Sequence, residues 1–262
     1  MWLMSEEKMN RRGWLSLLMV GLLSLTTACE KTEETKPETA KTPEKAEESK
    51  GSMPTPAVDD AQEPLLTDAE RDAKEPTTSE VLAPGTETAP GWTVVDKASL
   101  TEGQLAQLER AETAKKTLGT KLKERVSKEI AEKGLAESVD VCGCAAPPIT
   151  QGVAREFGVE IGRTSFKLRN TDNKAPVWME PIRALRTDVP HLFAGPDGAL
   201  GVTSPIWVED GCLKCHGPRA GLEPGVKEVL DGRFQEDRAT GFEAGDLRGY
   251  FWVQVPALAA AK

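Results

Sequence analysis

Residues 247–255 read Leu247-Arg248-Gly249-Tyr250-Phe251-Trp252-Val253-Gln254-Val255 and carry the strongest strand signal in this 262-residue chain. Aromatic and β-branched residues dominate the stretch, and such residues favour extended backbone. Ile161 to Leu168 alternates between two faces and predicts another strand. Pro196-Asp197-Gly198 predicts a turn joining His191-Leu192-Phe193 to a strand over Leu200 to Val208. The C-terminal half therefore predicts several short antiparallel strands.

Helical patterns precede these strands, and order is expected to begin near Trp92. Thr101-Glu102-Gly103-Gln104 matches a capping box, and apolar residues then recur at helical spacing. This pattern predicts one long amphipathic helix or a helix pair broken near Gly119. A further helix is predicted over Ile149 to Phe157, after Pro147-Pro148. A long helix followed by short antiparallel strands predicts an α+β fold with one sheet.

The first 28 residues have the features of a signal peptide. A basic patch at Asn10-Arg11-Arg12 precedes an apolar run, Trp14 to Leu25, which is shorter than the roughly 20 residues of a spanning helix. The run ends in Leu25-Thr26-Thr27-Ala28-Cys29, which resembles a lipoprotein cleavage box. We expect Cys29 to be lipidated and to anchor the mature protein in the cell envelope, facing the periplasm. Plain secretion and an uncleaved anchor are the alternatives.

The segment after Cys29 differs in composition from the rest of the chain. Residues 30–90 carry 16 Asp or Glu and 7 Lys or Arg, whereas residues 91–262 carry 24 and 23. The segment is rich in Glu, Lys, Thr and Pro and has few apolar residues, so we expect residues 29–90 to be a disordered tether. Residues 91–262 are then the folded domain. Its charge is nearly balanced, which argues against a nucleic acid partner.

One motif in this domain carries recognisable chemistry, Cys212-Leu213-Lys214-Cys215-His216. Two cysteines two residues apart, with histidine directly after the second, form the attachment signature of c-type haem. The thiols reach the two vinyl groups of one porphyrin edge, and His216 is held beneath the iron as proximal ligand. The sequence therefore predicts one covalent haem c. Two alternatives use the same thiols: a zinc site completed by Cys142 and Cys144, and a redox pair of Cys212 and Cys215.

Four separated segments are similar to one known family. They are VCGCAAPPI at 141–149, GRTSFKLRN at 162–170, CLKCHG at 212–217 and DRATGFEAGDLRG at 237–249. The chain resembles the PAS-like family of single c-type haem domains over about residues 100–256. The resemblance implies an antiparallel sheet with flanking helices and a long N-terminal helix. It also implies that the iron is held by His216 and by a distant cysteine corresponding to Cys142, with the additional Cys144 as an alternative.

Other side chains are candidates for the same site. His191, the second of two histidines, is an alternative distal ligand, and Met179 is a further one. Arg163, Lys167 and Arg169 share one face of the predicted strand and are expected to contact haem propionates, or else to be solvated strand charges. A set of aromatic residues is expected to line the haem pocket or to fill the core: Trp178, Phe193, Trp207 and Trp252.

These features together predict a membrane-tethered periplasmic haem protein that senses redox state or a diatomic gas ligand. No output segment is recognised, so we expect it to signal through a protein partner. It is not expected to be an enzyme, because two histidines leave little for acid–base chemistry. The first alternative is a low-potential electron carrier that exchanges electrons with a redox partner. The second is a structural zinc-binding module.

Overall fold

An antiparallel sheet with flanking helices is the framework of the folded domain. The computed structural model describes residues 67–74 and 76–257. The described helices are α1 (Asp68–Asp72), α2 (Glu102–Lys133), α3 (Leu135–Ser138), α4 (Ala146–Phe157), α5 (Glu180–Leu185), α6 (Leu213–His216) and α7 (Pro224–Arg233). The described strands are β1 (Glu87–Ala89), β2 (Trp92–Val95), β3 (Glu160–Thr164), β4 (His191–Ala194), β5 (Leu200–Trp207) and β6 (Leu247–Val255). The predicted signal peptide and Cys29 lie outside the described residues.

The six described strands form one sheet in the order β1-β2-β4-β5-β6-β3. Strands β5 and β6 are its long central pair, running from Leu200 opposite Val255 to Trp207 opposite Leu247. The predicted hairpin is confirmed, since β4 and β5 pair directly across the Pro196–Gly198 turn. The predicted α+β fold, with its antiparallel sheet and long N-terminal helix, is therefore confirmed.

Helix α2 is continuous, which decides between the two predicted alternatives. Its capping box is formed by Thr101 and Gln104. Gly119 lies within the continuous helix and faces the sheet. A Cβ at this position would be 3.6 Å from the Phe251 ring. The core between α2, α4 and the sheet is apolar. Its members include Ala111, Ala114, Leu118, Leu122, Val153, Leu200, Val202, Val253 and Val255.

A second core lies at the β2–β4 end of the sheet. The rings of Trp92 and Trp178 stack with centroids 5.0 Å apart, and Phe193 lies 5.1 Å from Trp178. Met179 is completely buried in this cluster. Among the predicted aromatic residues, Trp178 and Phe193 therefore fill the core. Trp207, by contrast, is 45% exposed at the end of β5.

Strand β3 is shorter than predicted and ends at Thr164. The Ser165 hydroxyl donates to the Arg248 carbonyl at 2.7 Å and accepts the Lys167 N–H at 2.9 Å. A side chain that bonds to nearby backbone in this way competes with the strand ladder. The prediction of a strand to Leu168 is therefore corrected, and the residues after Thr164 leave the sheet.

Ordered structure begins before Trp92, within the segment expected to be a tether. Residues 67–90 include α1 and β1. Arg71 of α1 is buried and donates to the carbonyl oxygens of Gln235 and Asp237. A segment held by such polar contacts has no apolar periodicity in its sequence from which order could be predicted. Among the described helices, none combines the length and apolar character needed to cross a membrane.

Candidate functional site

The cysteine motif follows directly after the central strand β5. The chain leaves the sheet at Trp207 and enters a single 3-10 turn, Asp210–Cys212, that continues into the one-turn helix α6. The Cys212 N–H donates to the Glu209 carbonyl at 2.8 Å. Cys212 and Cys215 are half-buried, and neither is in a disulfide. Residues three apart in such a turn lie on the same side, so both thiols are presented to one region of space.

The imidazole of His216 is held by a backbone carbonyl. Its Nδ1 lies 2.7 Å from the carbonyl oxygen of Ala239. Because a carbonyl only accepts, Nδ1 carries the proton and Nε2 presents its lone pair. Burial, reinforced by the positive charges of Arg169, Arg248 and Arg163, holds the pKa of His216 well below its usual range. A neutral imidazole oriented through Nδ1–H has the chemistry of a metal ligand.

The backbone around His216 is held by the loop of residues 235–243. The His216 carbonyl accepts the Phe242 N–H at 3.0 Å, and the Gly217 carbonyl accepts the Gly241 N–H at 3.0 Å. The Phe242 ring meets the imidazole edge-on, with centroids 6.4 Å apart. Both the backbone and the ring of His216 are therefore fixed by this loop.

Arg169 connects this loop to the cysteine motif. It forms a buried ion pair with Asp237, and its Nη2 donates to the Cys215 carbonyl at 2.6 Å. Asp237 also accepts the Ala239 N–H at 2.9 Å. The remaining nitrogen, Nη1, is buried and has no hydrogen-bond partner among the described residues. A buried donor without a partner is costly, and a bound anionic group would satisfy it.

The three basic residues predicted to share one strand face do not do so. Arg163 lies on β3 and is half-buried, whereas Lys167 and Arg169 lie beyond its end and are buried. Lys167 donates to the carbonyls of Thr240 and Ala73, at 2.6 and 3.2 Å, so it cross-links two backbone segments. Of these three described residues, only Arg169 combines burial with a nitrogen that has no hydrogen-bond partner among the described residues.

Several residues of the site were not predicted from the sequence. Arg248 of β6 lies 5.3 Å from the centroid of Phe242 and lowers the pKa of His216. Ala239 and Asp237 fix the imidazole through a carbonyl oxygen and a carboxylate. Asp237, Ala239, Phe242 and Arg248 all fall within the segment 237–249 that carried the family resemblance. That resemblance was the one feature of the sequence that pointed to them.

His191 is engaged elsewhere. Its Nδ1 lies 3.0 Å from the Val189 carbonyl, and its Nε2 accepts the Leu82 N–H at 3.1 Å. The side chain is buried beside Phe193, with ring centroids 6.3 Å apart. Neither ring nitrogen of His191 is open to a further ligand in this arrangement.

The segment that carries Cys142 is brought close to the motif. Residues Val139–Cys142 form a 3-10 turn, and Val139 is buried with Leu222, Val226 and Leu230. Cys215 packs against the same cluster. The side chain of Cys142 is not among those described. Cys144 is disulfide-bonded.

Residues 85–256 match the model of a protein family described as Tll0287-like: Tll0287. The chain belongs to the Tll0287-like family. The crystal structure of the cyanobacterial haem protein Tll0287 aligns with 62% of this chain and 100% of its own, at 21% identity and a TM-score of 0.42. No curated protein matches the chain. The family region contains the motif, the loop 235–243 and all six described strands of the sheet.

Proposed function

We propose that this member of the Tll0287-like family binds one haem c through thioether bonds to Cys212 and Cys215, with His216 as an iron ligand. The observation that carries the proposal is the Nδ1–H bond from His216 to Ala239, which leaves Nε2 of His216 available in the residue directly after Cys215. The family takes its name from Tll0287, a cyanobacterial haem protein.

The residues around the motif fit such a group. Arg169 Nη1 is a buried donor without a partner among the described residues, and a propionate would supply its acceptor. Arg163 and Arg248 add positive charge, which favours an anionic substituent. The apolar faces of Phe242 and of the Val139 cluster border the motif. Lys167 has no such role in this proposal, because its ammonium already bonds to two carbonyls.

Cys142 is proposed as the second iron ligand in the haem-loaded protein, which requires its thiol to be reduced. The argument from the fold is that Val139, three residues earlier, is buried in the cluster against which Cys215 packs. Bound haem would supply one-electron redox chemistry and, with a weak ferrous ligand such as a thiol, a site for a diatomic gas. The chain itself holds His216 neutral, orients its ring through Ala239 and shields it with Phe242.

In the proposed role, the domain is held at the membrane through lipidated Cys29, faces the periplasm and senses redox state or a diatomic ligand for a protein partner. Electron transfer with a redox partner is the alternative role. A structural zinc site on Cys142, Cys144, Cys212 and Cys215 is the second alternative.

Covalent attachment tests the proposal directly. The full chain, produced with a c-type haem attachment system, should retain haem through denaturing electrophoresis and gain the mass of one haem. The Cys212→Ala/Cys215→Ala variant should lose both signals, whereas Cys144→Ala should keep them. Covalent haem in the double variant, or zinc in place of haem in the unchanged chain, would contradict the proposal.

A further inference from the structure

Residues 67–74, here called the strap, lie before the family region that begins at residue 85, yet they dock on the loop 235–243. Arg71 is 4% exposed and is the main anchor. Its Nη2 donates to the Gln235 carbonyl at 2.7 Å, and its Nη1 donates to the Asp237 carbonyl. One buried guanidinium therefore holds two carbonyl groups of the loop from outside the family domain.

The rest of the strap makes a close backbone contact with the same loop. A Cβ on Gly241 would lie 2.4 Å from the Asp72 Cα, and Gly241 has a φ of +77°, so glycine is needed there for both space and conformation. The carboxylate of Asp72 accepts the Arg219 N–H at 2.8 Å. The Ala73 carbonyl accepts from Lys167 at 3.2 Å. These contacts fix the strap over the segment that follows His216.

The strap also supplies charge to a buried cation beside the motif. Arg219 is 3% exposed and pairs with Asp68 of the strap and with Asp231 of α7, both at 2.5 Å. Without the strap, this guanidinium would keep only one of its two carboxylates. The strap is thus electrostatically matched to Arg219, the third residue after the motif.

A short chain of bonds leads from Arg71 to the imidazole. Arg71 holds the carbonyl of Asp237, the Asp237 carboxylate accepts the Ala239 N–H at 2.9 Å, and the Ala239 carbonyl accepts from His216 at 2.7 Å. The orientation of the imidazole therefore depends on a loop whose position is set in part by the strap.

We propose that the strap is a positioning element for the His216 imidazole and that Arg71 is its positioning residue. The strap thereby connects the chain N-terminal to Thr67 with the geometry of the iron ligand. The part of this proposal that concerns iron rests on the proposed function. The part that concerns the orientation and proton of His216 does not.

The test compares Arg71→Ala with Arg71→Lys and with the control Lys74→Ala, all in the full chain. Lys74 belongs to the same strap, but it is 63% exposed and pairs with the side chains of Glu243, at the end of the loop, and of Asp246, beyond it, rather than with the carbonyls that Arg71 holds. In haem-free protein, NMR of the imidazole nitrogens reports the His216 tautomer and the exchange rate of its Nδ1 proton. With two histidines in the chain, a His191→Gln variant assigns the signals. In haem-loaded protein, the reduction potential and the iron–histidine vibration are measured.

Arg71→Ala should speed exchange of the Nδ1 proton by about tenfold, the factor expected for loss of roughly one net hydrogen bond, and should shift the potential. Arg71→Lys should restore part of both effects, and Lys74→Ala should match the unchanged chain. Gly241→Ala displaces the strap from the opposite side and should reproduce the effect if Arg71→Ala does not fold.

A folded Arg71→Ala or Gly241→Ala variant with unchanged exchange and tautomer would overturn the positioning role. If no variant and no unchanged chain attaches haem, the proposed function fails. The haem-free NMR measurements would still decide the role of the strap.

Discussion

Arg169 and Asp237 form an ion pair in which both side chains are almost fully buried, 3% and 0% exposed, with Nε 3.2 Å from Oδ1. The pair joins the segment after β3 to the loop that orients His216. Because Arg169 also donates to the Cys215 carbonyl, one interaction connects the cysteine motif, the loop and the sheet edge.

Replacing Asp237 by alanine should lower the free energy of unfolding by about 3–5 kcal/mol, because it leaves the buried Arg169 charge without its partner. Urea denaturation of haem-free protein measures the loss. The matched control is Glu180→Ala, which removes a partly exposed pair with Arg183 and should cost less than about 1 kcal/mol. Equal losses in the two variants would contradict the importance of the buried pair.

The distal ligand is tested by three single variants of the haem-loaded chain. Ferric protein should show a thiolate-ligated low-spin absorption spectrum that Cys142→Ser removes. Cys144→Ser should leave it largely unchanged, and so should His191→Ala, since both ring nitrogens of His191 are already bonded. The reduced protein should bind carbon monoxide, because a neutral thiol is a weak ferrous ligand. Loss of the spectrum in His191→Ala with retention in Cys142→Ser would reverse the assignment.

Membrane attachment is predicted to depend on one thiol. Cys29→Ser should move the protein from the membrane fraction to the soluble periplasmic fraction, because the acyl chains of the anchor are attached through this residue. Fractionation and the mass of the mature N-terminus measure the change, with Cys144→Ser as the control that stays attached. If Cys29→Ser stays membrane-bound with an uncleaved N-terminus, the apolar run is itself the anchor.

His191 should contribute part of the pH dependence of stability. Burial lowers its pKa in the folded protein, and the bond to the Val189 carbonyl opposes this only in part. The unfolded chain therefore binds a proton first, near pH 6.5, so the contribution of His191 is complete above that pH and is lost as the pH falls below it. Urea denaturation at about pH 7.5 and about pH 5.5, on either side of the ordinary histidine pKa, measures the loss of unfolding free energy. This loss should be smaller in His191→Gln than in the unchanged chain. An equal loss would mean that His191 does not titrate differently on unfolding.

The sequence was sufficient for features that depend on local pattern. The alternation and aromatic content of 247–255, the turn at 196–198 and the capping box at Thr101 predicted elements that the structure confirms. Each of these signals lies within one element, where side-chain period and backbone conformation are directly related. The sequence placed two thiols and His216 in one motif for the same reason.

Tertiary structure alone decided how that motif is supported. The Ala239 carbonyl that orients His216 is 23 residues away, and the Arg71 guanidinium that holds the loop is 166 residues from Asp237. Contacts to backbone carbonyls do not require a particular residue type at the acceptor, so they leave no signature in the sequence. The same reason explains why Lys167 and Arg169 were predicted on a strand face. Only the fold reveals that both side chains are buried in hydrogen bonds to backbone and to Asp237.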